Sequence, residues 1–386
     1  MPQDSLQQFA RDKLAQLDSQ LLRRELVVTD RVAPGIGRHD ARDLISFACN
    51  DYLGLSRHAD VIQASEDATR RLGVGAGASR LVTGNHSLYQ RLEAQLATLK
   101  GTEDAVVFGS GYLTNIGTIP ALVGQPDLIL IDEAGHACLH AGARLARSRL
   151  LTFRHNDIEH AAELLSTHRA EHRYCLLLTE GVFSMDGDLA PVAALLALAN
   201  QHDAWLMTDD AHGLGVVGDG RGSNVHAGTA LPVPLQMGTL SKALGAYGGY
   251  LCTSRAVAEL IRNRARSLIY TTALPPGTVA AAAKALEIIA TDKDLVRAPL
   301  EHAQRFTDRL GLPPAQSAIV PLVLGSSERV LQASAQLERE GYLVVAIRPP
   351  TVPDGTARLR CTFSAAHQTS DIDAFAHAAA KTLTAP

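Results

Sequence analysis

Lys242 lies where a lysine could do covalent chemistry, in a short turn-like run, 238–245, between two apolar segments, 233–237 and 247–253. The pattern predicts two buried strands with the lysine at the turn between them. Burial lowers the pKa of a lysine amine, and the neutral amine can form a Schiff base with an aldehyde. A Ser-Lys pair by itself is more typical of a solvated surface turn, so the chemical interpretation depends on residues upstream.

Upstream, the predicted strand in 204–213 ends in two acids, Asp209 and Asp210, followed by His212. Ligands of α/β sheets bind at the carboxyl ends of strands. There, Asp209 could hold a proton on a pyridine nitrogen, which makes the ring an electron sink, and His212 could donate to the phenolic oxygen of that ring. A helix N-cap acid and a turn histidine are the alternative for either residue alone. The two together, followed by Ser-Lys, favour the chemical interpretation.

Several further motifs, spread over nearly the whole chain, belong with these residues. The full set is Asn50–Leu55, Gly109–Tyr112, Glu180–Asp188, Asp209–His212, Thr239–Lys242 and Arg348–Pro353. This set resembles the fold-type I pyridoxal phosphate (PLP) enzymes, and within them the α-oxoamine synthases, which condense an amino acid with an acyl thioester and release CO2. The resemblance implies an α/β fold with a large, mostly parallel-sheet domain and a small C-terminal α/β domain. It also implies PLP as the cofactor and a homodimer with its active site at the interface.

The resemblance implies a role for each residue of the site. Lys242 would carry the cofactor, Asp209 would pair with the ring nitrogen and His136 would stack on the ring. The residues implied as catalytic are Lys242, His136, Asp209 and His212. The cofactor would contact Gly111, Tyr112, His136, Ser184, Asp209, His212, Thr239, Ser241, Lys242 and Thr272. The substrates would contact Arg23, Asn50, His136, Thr351 and Arg360.

Segment 348–353 is most similar to that of the family members which join L-alanine to a pimeloyl thioester in biotin biosynthesis. The implied substrates are L-alanine and either pimeloyl-CoA or pimeloyl-acyl carrier protein, and the sequence leaves the carrier open. Arg23 aligns with the family's substrate-contacting arginine and Thr351 with its contacting threonine. Arg24 stays an alternative, because the register of the N-terminal arm could slip by one residue. Both arginines could instead form the solvated end of an amphipathic helix.

Three other functions share part of this pattern. Sister α-oxoamine synthases use glycine or serine with another acyl-CoA, as in glycine C-acetyltransferase, 5-aminolevulinate synthase and serine palmitoyltransferase. A PLP aminotransferase would share Asp209 and Lys242 but needs no acyl carrier. A catalytically silent regulator is disfavoured, because Lys242, Asp209, His212 and His136 are all retained. No metal is expected, because His136 and Cys138 have no third ligand nearby in the sequence.

The elements that must position these residues follow from the hydrophobic pattern. Apolar runs predict strands at 105–108, 128–132, 175–179 and 204–209, and the helices predicted between them imply a parallel sheet. Gly109 and Gly111 follow a strand and precede a helix predicted from Thr114, which is the order of a phosphate site. The glycine-rich run 73–80 follows a helix instead, so it is interpreted as an active-site loop and not as a dinucleotide loop.

A length of 386 residues favours two lobes. The predicted division is an N-terminal helical arm at 1–45, a large PLP-binding domain at 46–292 and a small C-terminal domain at 293–386. In the C-terminal domain, strands are predicted at 318–324, 342–347 and 357–363. Residues 267–276 are predicted to be extended, and by resemblance they reach across a dimer interface.

Composition argues against several partners. The net charge of −4, the aromatic content of 4% and the absence of a basic run give no indication of nucleic-acid binding. No apolar run approaches the length of a membrane span, and residues 1–25 predict an amphipathic helix rather than a signal peptide. The five cysteines lack a C-x-x-C pair, which indicates a reduced, cytoplasmic protein.

Overall fold

The computed structural model describes residues 2–33, 35–39 and 42–384. Its helices are α1 (Pro2–Ser19), α2 (Ala59–Leu72), α3 (Leu88–Lys100), α4 (Gly111–Leu122), α5 (Ala137–Ala146), α6 (Ile158–His168), α7 (Val192–Gln201), α8 (Arg255–Arg264), α9 (Arg266–Ile269), α10 (Pro276–Thr291), α11 (Lys293–Leu310), α12 (Ser327–Arg339) and α13 (Thr369–Thr384). Its strands are β1 (Asp30–Ala33), β2 (Ile36–His39), β3 (Arg42–Ser46), β4 (Asp104–Phe108), β5 (Leu128–Asp132), β6 (Arg149–Phe153), β7 (Cys175–Glu180), β8 (Trp205–Asp209), β9 (Val225–His226), β10 (Thr229–Ala230), β11 (Leu235–Thr239), β12 (Gly249–Thr253), β13 (Ile319–Gly325), β14 (Tyr342–Leu343), β15 (Val345–Ile347) and β16 (Ala357–Thr362). Within the described ranges, no helix has the length and apolar character needed to cross a membrane.

Seven strands form the central sheet in the order β4-β12-β11-β8-β7-β5-β6. Only β12 runs against the others, antiparallel to both β4 and β11. Successive residues of a strand face opposite layers of helices, so that Leu128 and Leu130 pack toward α6 and α7, whereas Ile129 and Ile131 pack toward α4 and α5. Burial on both faces explains why these strands are continuous apolar runs. The predicted large, mostly parallel sheet is confirmed.

Three local predictions were wrong in detail. Helix α4 begins at Gly111 and not at Thr114, because the Ser110 side chain caps it by accepting the N–H of Leu113. The segment predicted to be extended at 267–276 begins inside α9 and ends at the start of α10. The single strand predicted at 342–347 is two strands, because β14 pairs with β3 while β15 pairs with β16 in a different sheet.

The C-terminal residues form a second α/β layer around the antiparallel sheet β13-β16-β15. Its core includes Phe306 and Phe375, whose ring centroids are 5.0 Å apart. Phe47 stacks on Phe375 with centroids 3.9 Å apart. Strand β3 also pairs with β14, so β3 and Phe47, which follows it, pack against C-terminal residues. The exact division of the chain into three parts stays a prediction.

The loop at 181–190, which carries Ser184, lies between the central sheet and the C-terminal layer. Gly187 has a φ of 75°, and a Cβ built there would lie 2.1 Å from the carbonyl oxygen of Ile319. Only glycine permits this approach. The Ser317 hydroxyl donates to the Gly187 carbonyl over 2.7 Å, which fixes the loop against the strand that follows.

His155 joins this loop to the carboxyl ends of β5 and β6. Its Nδ1 lies 3.1 Å from Asp132 Oδ1, and its Nε2 lies 2.8 Å from Asp188 Oδ2. Hydrogen bonds to Asp132 and Asp188 raise the pKa of His155 to about 10, although its partial burial acts in the opposite direction. The protonated ring can donate from both nitrogens, so one charged imidazole holds two carboxylates from different elements.

We expect His155→Gln to destabilise the protein in a pH-dependent way. Because folding raises the pKa of His155, the charged ring stabilises the fold fully below about pH 6.5, and this contribution is lost as the pH rises through about 10. Urea unfolding should therefore give a larger difference in the free energy of unfolding between wild type and variant at about pH 6 than at about pH 10.5. His226→Gln, at an exposed position, is the control. An equal loss at both pH values would contradict the expectation.

Candidate active site

Lys242 lies in the turn that joins β11 to β12, at the carboxyl edge of the central sheet. The predicted pair of buried strands on either side of it is confirmed. Its Nζ is 2.8 Å from Nε2 of His212. Burial lowers the pKa of Lys242, and the nearby carboxylates of Asp209 and Glu180 act in the opposite direction. The amine is therefore closer to the neutral, nucleophilic form than a solvated lysine would be.

Asp209 ends β8, and two N–H donors fix its buried carboxylate. The Asn115 side-chain amide, in α4, donates to Oδ2 over 2.7 Å, and the N–H of Ala211 donates to Oδ1 over 3.1 Å. The adjoining acid, Asp210, is used differently, since it forms a fully buried ion pair with Lys100 at 2.7 Å. Of the two neighbouring acids, Asp209 is therefore the one available to a ligand. Neither Asn115 nor Lys100 was found from the sequence.

Glu180 ends β7 and is the direct partner of Asp209 in the parallel register between the two strands. The N–H of Ser184 donates to its Oε2 over 3.2 Å, whereas Oε1 has no hydrogen-bond partner among the residues that the structure describes. Burial, followed by the charge of Asp209, raises the pKa of Glu180 well above its ordinary value. A second carboxyl group beside Asp209 is thus held toward its neutral form. The sequence could have indicated Glu180, because it is an acid at the end of a predicted strand that neighbours the strand of Asp209.

Polar side chains from distant segments meet next to the lysine. His212 Nδ1 lies 2.6 Å from the Tyr52 hydroxyl oxygen. Arg360, in β16, donates to Asn50 Oδ1 over 3.0 Å and to the backbone carbonyl of Ser184 over 2.5 Å. The structure therefore brings together Asn50, Ser184, His212 and Arg360, four of the site residues named from the sequence, and their roles stay a prediction. Tyr52 lies in the Asn50–Leu55 motif, but the sequence predicted no role for it.

His136 caps α5, where its Nδ1 accepts the N–H of Cys138 over 3.2 Å. Burial lowers the pKa of His136, while the Asp209 carboxylate acts in the opposite direction. Cys138 Sγ lies 4.0 Å from Asp209 Oδ2. Burial raises the pKa of this thiol to about 12, so it is neutral near pH 7 and adds no charge. His136 thus presents an uncharged ring at the side of Asp209.

The start of α4 and the end of β11 form a corner suited to an anion. Gly111 and Tyr112 supply the first backbone N–H groups of the helix, which have no partner within it. A Cβ at Gly111 would lie 3.2 Å from Met237 Cε, so glycine allows the helix to approach the strand closely. The Ser241 hydroxyl oxygen lies at the same strand end, 2.7 Å from that of Thr239, whose own hydrogen is donated to the Gly248 carbonyl over 2.8 Å. N–H groups and hydroxyls are the donors that a phosphate requires.

The groups at this edge of the sheet fit PLP. Asp209 is a fixed carboxylate for the ring nitrogen, His212 can face the phenolic oxygen, and Lys242 is an amine for the aldehyde. The corner at Gly111 and Tyr112 is suited to the phosphate. Their common location, at the carboxyl ends of the strands, is where α/β sheets bind ligands.

The remaining predicted residues lie outside this cluster. Arg23 forms an exposed ion pair within its own arm, and it is Arg24 that donates to Thr351 Oγ1, over 3.2 Å. This contact borders a cleft of about 700 Å³ between the segment after α1 and the region around β15. Thr272 pairs through its backbone with Ser79, next to the glycine-rich segment.

Known proteins share this arrangement. Residues 42–378 match the family model described as aminotransferase class I and II. The chain is also 58% identical to the 8-amino-7-oxononanoate synthase of Granulibacter bethesdensis, over 95% of each chain. It belongs to the 8-amino-7-oxononanoate synthase family.

Two solved structures share its fold. The serine palmitoyltransferase of S. paucimobilis, with a bound PLP–myriocin aldimine, has a TM-score of 0.91 and 28% identity, over 97% of this chain and 96% of that one. The 8-amino-7-oxononanoate synthase of Francisella tularensis has a TM-score of 0.74 and 25% identity, over 88% of this chain and 97% of that one. The predicted fold-type I PLP transferase fold is confirmed, and the family is PLP-dependent.

We expect Asp209→Asn to impair the cofactor much more than the fold. The amide nearly preserves the shape but removes the charge that would keep the ring nitrogen protonated. The rate of the visible spectral change that L-alanine produces in the PLP-loaded protein should therefore fall by at least about a hundredfold, the scale of losing one electrostatic group. Asp308→Asn, exposed on α11, is the control, and both variants should unfold near the wild-type temperature. A near-normal rate in Asp209→Asn would show that the charge of Asp209 is not needed and that its role is only to accept structural hydrogen bonds.

Proposed function

We propose that this chain is an 8-amino-7-oxononanoate synthase, which condenses L-alanine with a pimeloyl thioester in biotin biosynthesis. The products are 8-amino-7-oxononanoate, CO2 and the free thiol carrier, with coenzyme A or acyl carrier protein as that carrier. The observation that carries the proposal is the convergence of Lys242, Asp209, His212 and Arg360 at one sheet edge, in a chain 58% identical to a named synthase.

PLP, when bound, supplies an aldehyde that captures the substrate amine and a ring that accepts the electron pair of the substrate Cα. Lys242 Nζ would hold the resting cofactor and, once free, would take the Cα proton of L-alanine. Asp209 places a negative charge at the ring nitrogen. Gly111, Tyr112, Thr239 and Ser241 orient the cofactor by binding its phosphate.

Arg360 is placed to hold the carboxylate of L-alanine. In this structure its guanidinium donates to Asn50 Oδ1 and the Ser184 carbonyl, and a substrate carboxylate could accept from the same guanidinium. Together with His136, which would stack on the ring, this contact would orient the Cα–H bond toward Lys242. After the Cα has bonded to the acyl carbon and the thiol carrier has left, the carboxylate departs as CO2, and Lys242 Nζ returns a proton to Cα.

For the far end of the acyl group, we propose a contact with the arginine and threonine that border the N-terminal cleft. A pimeloyl chain ends in a carboxyl group or its ester, so its pocket needs polar donors far from the cofactor. The hydrogen bond from Arg24 to Thr351 favours Arg24 over Arg23 for this role, because Arg23 is already paired with Asp18.

We also propose a cytoplasmic homodimer with the active site at the interface. Apolar side chains next to the phosphate corner and Thr272 are exposed in the single chain, among them Val82 at 73%, Tyr112 at 51% and Tyr270 at 71%. Exposed apolar patches of this kind are typical of interaction surfaces. All five cysteines are free thiols, as in a reducing compartment.

A matrix assay should separate this function from its sister activities. We expect the PLP-loaded protein to release CO2 fastest with L-alanine and a pimeloyl thioester, when L-alanine, glycine and L-serine are each paired with pimeloyl, acetyl, succinyl and palmitoyl thioesters. Serine palmitoyltransferase activity is the second candidate, because that enzyme shares the fold with a TM-score of 0.91. A preference for serine with palmitoyl-CoA would replace the proposal. Amino-group exchange with a keto acid, without CO2, would indicate an aminotransferase.

The two neighbouring arginines make a matched pair of variants. We expect Arg24→Ala to lower kcat/KM for the pimeloyl thioester. The loss should correspond to about 1 to 3 kcal/mol of transition-state stabilisation, the scale of one charge-assisted hydrogen bond. Arg23→Ala, which removes an equally large cation one residue away, should change it by less than about 0.5 kcal/mol, as for an exposed ion pair. Steady-state kinetics with each variant, and the unchanged spectral response to L-alanine, provide the test. The reverse order of effects would assign the contact to Arg23.

A further inference from the structure

An unbroken line of polar contacts runs from Lys242 to Asn50 through two side chains. Lys242 Nζ is 2.8 Å from His212 Nε2, and His212 Nδ1 is 2.6 Å from the Tyr52 hydroxyl oxygen. That hydroxyl oxygen lies 3.3 Å from Asn50 Oδ1 and 3.4 Å from a guanidinium nitrogen of Arg360. Tyr52 is fully buried and His212 is 5% exposed, so water does not compete for these contacts.

The donors and acceptors of this line have one consistent direction. Arg360 can only donate, so its contact with the Tyr52 oxygen, at 3.4 Å, does not use the hydrogen of the hydroxyl. Asn50 Oδ1 already accepts from Arg360 and is 3.3 Å away, which is long for an O–H···O bond. His212 Nδ1, at 2.6 Å, is the better acceptor for the Tyr52 hydrogen.

We propose that Tyr52 is a positioning residue, which donates its hydroxyl hydrogen to His212 Nδ1 and thereby keeps the hydrogen of that ring on Nε2, facing Lys242 and the phenolic oxygen of PLP. The inference rests on the proposed function in one respect, namely that PLP is the ligand of this site. A neutral imidazole donates from only one nitrogen. If that hydrogen were on Nδ1, Nε2 would turn a lone pair toward the phenolic oxygen, and the two would repel each other.

The charges around the ring agree with this assignment. Burial, together with the nearby Lys242, Arg360 and His136, holds the pKa of His212 well below its ordinary value, so that the ring is neutral and its tautomer matters. Burial raises the pKa of Tyr52, although Arg360 acts in the opposite direction, so Tyr52 keeps the hydrogen that it donates. The same guanidinium that we assign to the substrate carboxylate also polarises the hydroxyl of Tyr52.

The tautomer can be observed directly. Long-range ¹H–¹⁵N NMR spectra of the full chain with ¹⁵N-labelled histidine, loaded with PLP, should identify His212 as the Nε2–H tautomer, with the signal assigned by its loss in His212→Gln. In Tyr52→Phe, which keeps the ring and removes only the hydroxyl, we expect the Nδ1–H tautomer to appear. An Nδ1–H ring in the wild type would overturn the proposal without reference to any variant. The readout does not depend on which substrates the protein accepts, so it can fail or succeed separately from the matrix assay.

A pH titration of the visible absorption band gives a second readout. Without the Nε2–H donor, the deprotonated phenolic oxygen is less stabilised, so Tyr52→Phe should move the midpoint upward by about one pH unit and lower kcat roughly tenfold, the scale of one buried hydrogen bond. Tyr250→Phe is the matched control, because Tyr250 is also fully buried and its hydroxyl has no hydrogen-bond partner in the described part of the chain. If Tyr52→Phe lowers only the unfolding temperature and leaves the tautomer and the midpoint unchanged, Tyr52 is a packing residue and the proposal is wrong.

Discussion

The site depends on how a small group of buried charges is balanced at one edge of the central sheet. An unpaired buried charge costs several kcal/mol, so each charged group needs a partner or must become neutral. Asp210 is paired with Lys100, and Asp209 is held by neutral donors, which leaves its charge available to a ligand. Glu180 and Lys242 respond in the other way, since burial shifts the pKa of each toward the neutral form. The chemistry of the lysine is thus a consequence of where it is buried.

The side chains at this edge are positioned by contacts between the central sheet and the C-terminal layer, and not by the sheet alone. The loop that carries Ser184 is held on one side by the charged ring of His155 and on the other by the close approach of Gly187 to Ile319. The Ser184 carbonyl in turn accepts a hydrogen bond from Arg360 in the C-terminal sheet. Packing between the layers therefore sets the position of Arg360 relative to Lys242.

Much of the fold could be predicted from the sequence, because strands buried on both faces are apolar runs and the polar residues that follow them mark the carboxyl edge of the sheet. Helix α5 and strand β6 were not predicted. The helix is half alanine and glycine and contains His140 and Arg144, and the strand has exposed Arg149 and Thr152 at the sheet edge, so neither has a strong apolar period. The Tyr52–His212 contact could not be predicted either, because local patterns do not indicate which of two residues 160 positions apart will meet.

The groups that fit PLP and the groups proposed for the substrates lie on different parts of the chain. The groups that fit PLP come from the ends of β8 and β11 and the start of α4, all on the central sheet. The groups proposed for the substrates, Arg360 and Thr351, come from the C-terminal layer, and Arg24 reaches Thr351 from the N-terminal arm. If the proposed contacts bind the acyl chain, changes in the cleft near Thr351 alter which acyl group is accepted without moving Lys242 or Asp209. Such a division is consistent with a fold shared, at 28% identity, with a serine palmitoyltransferase.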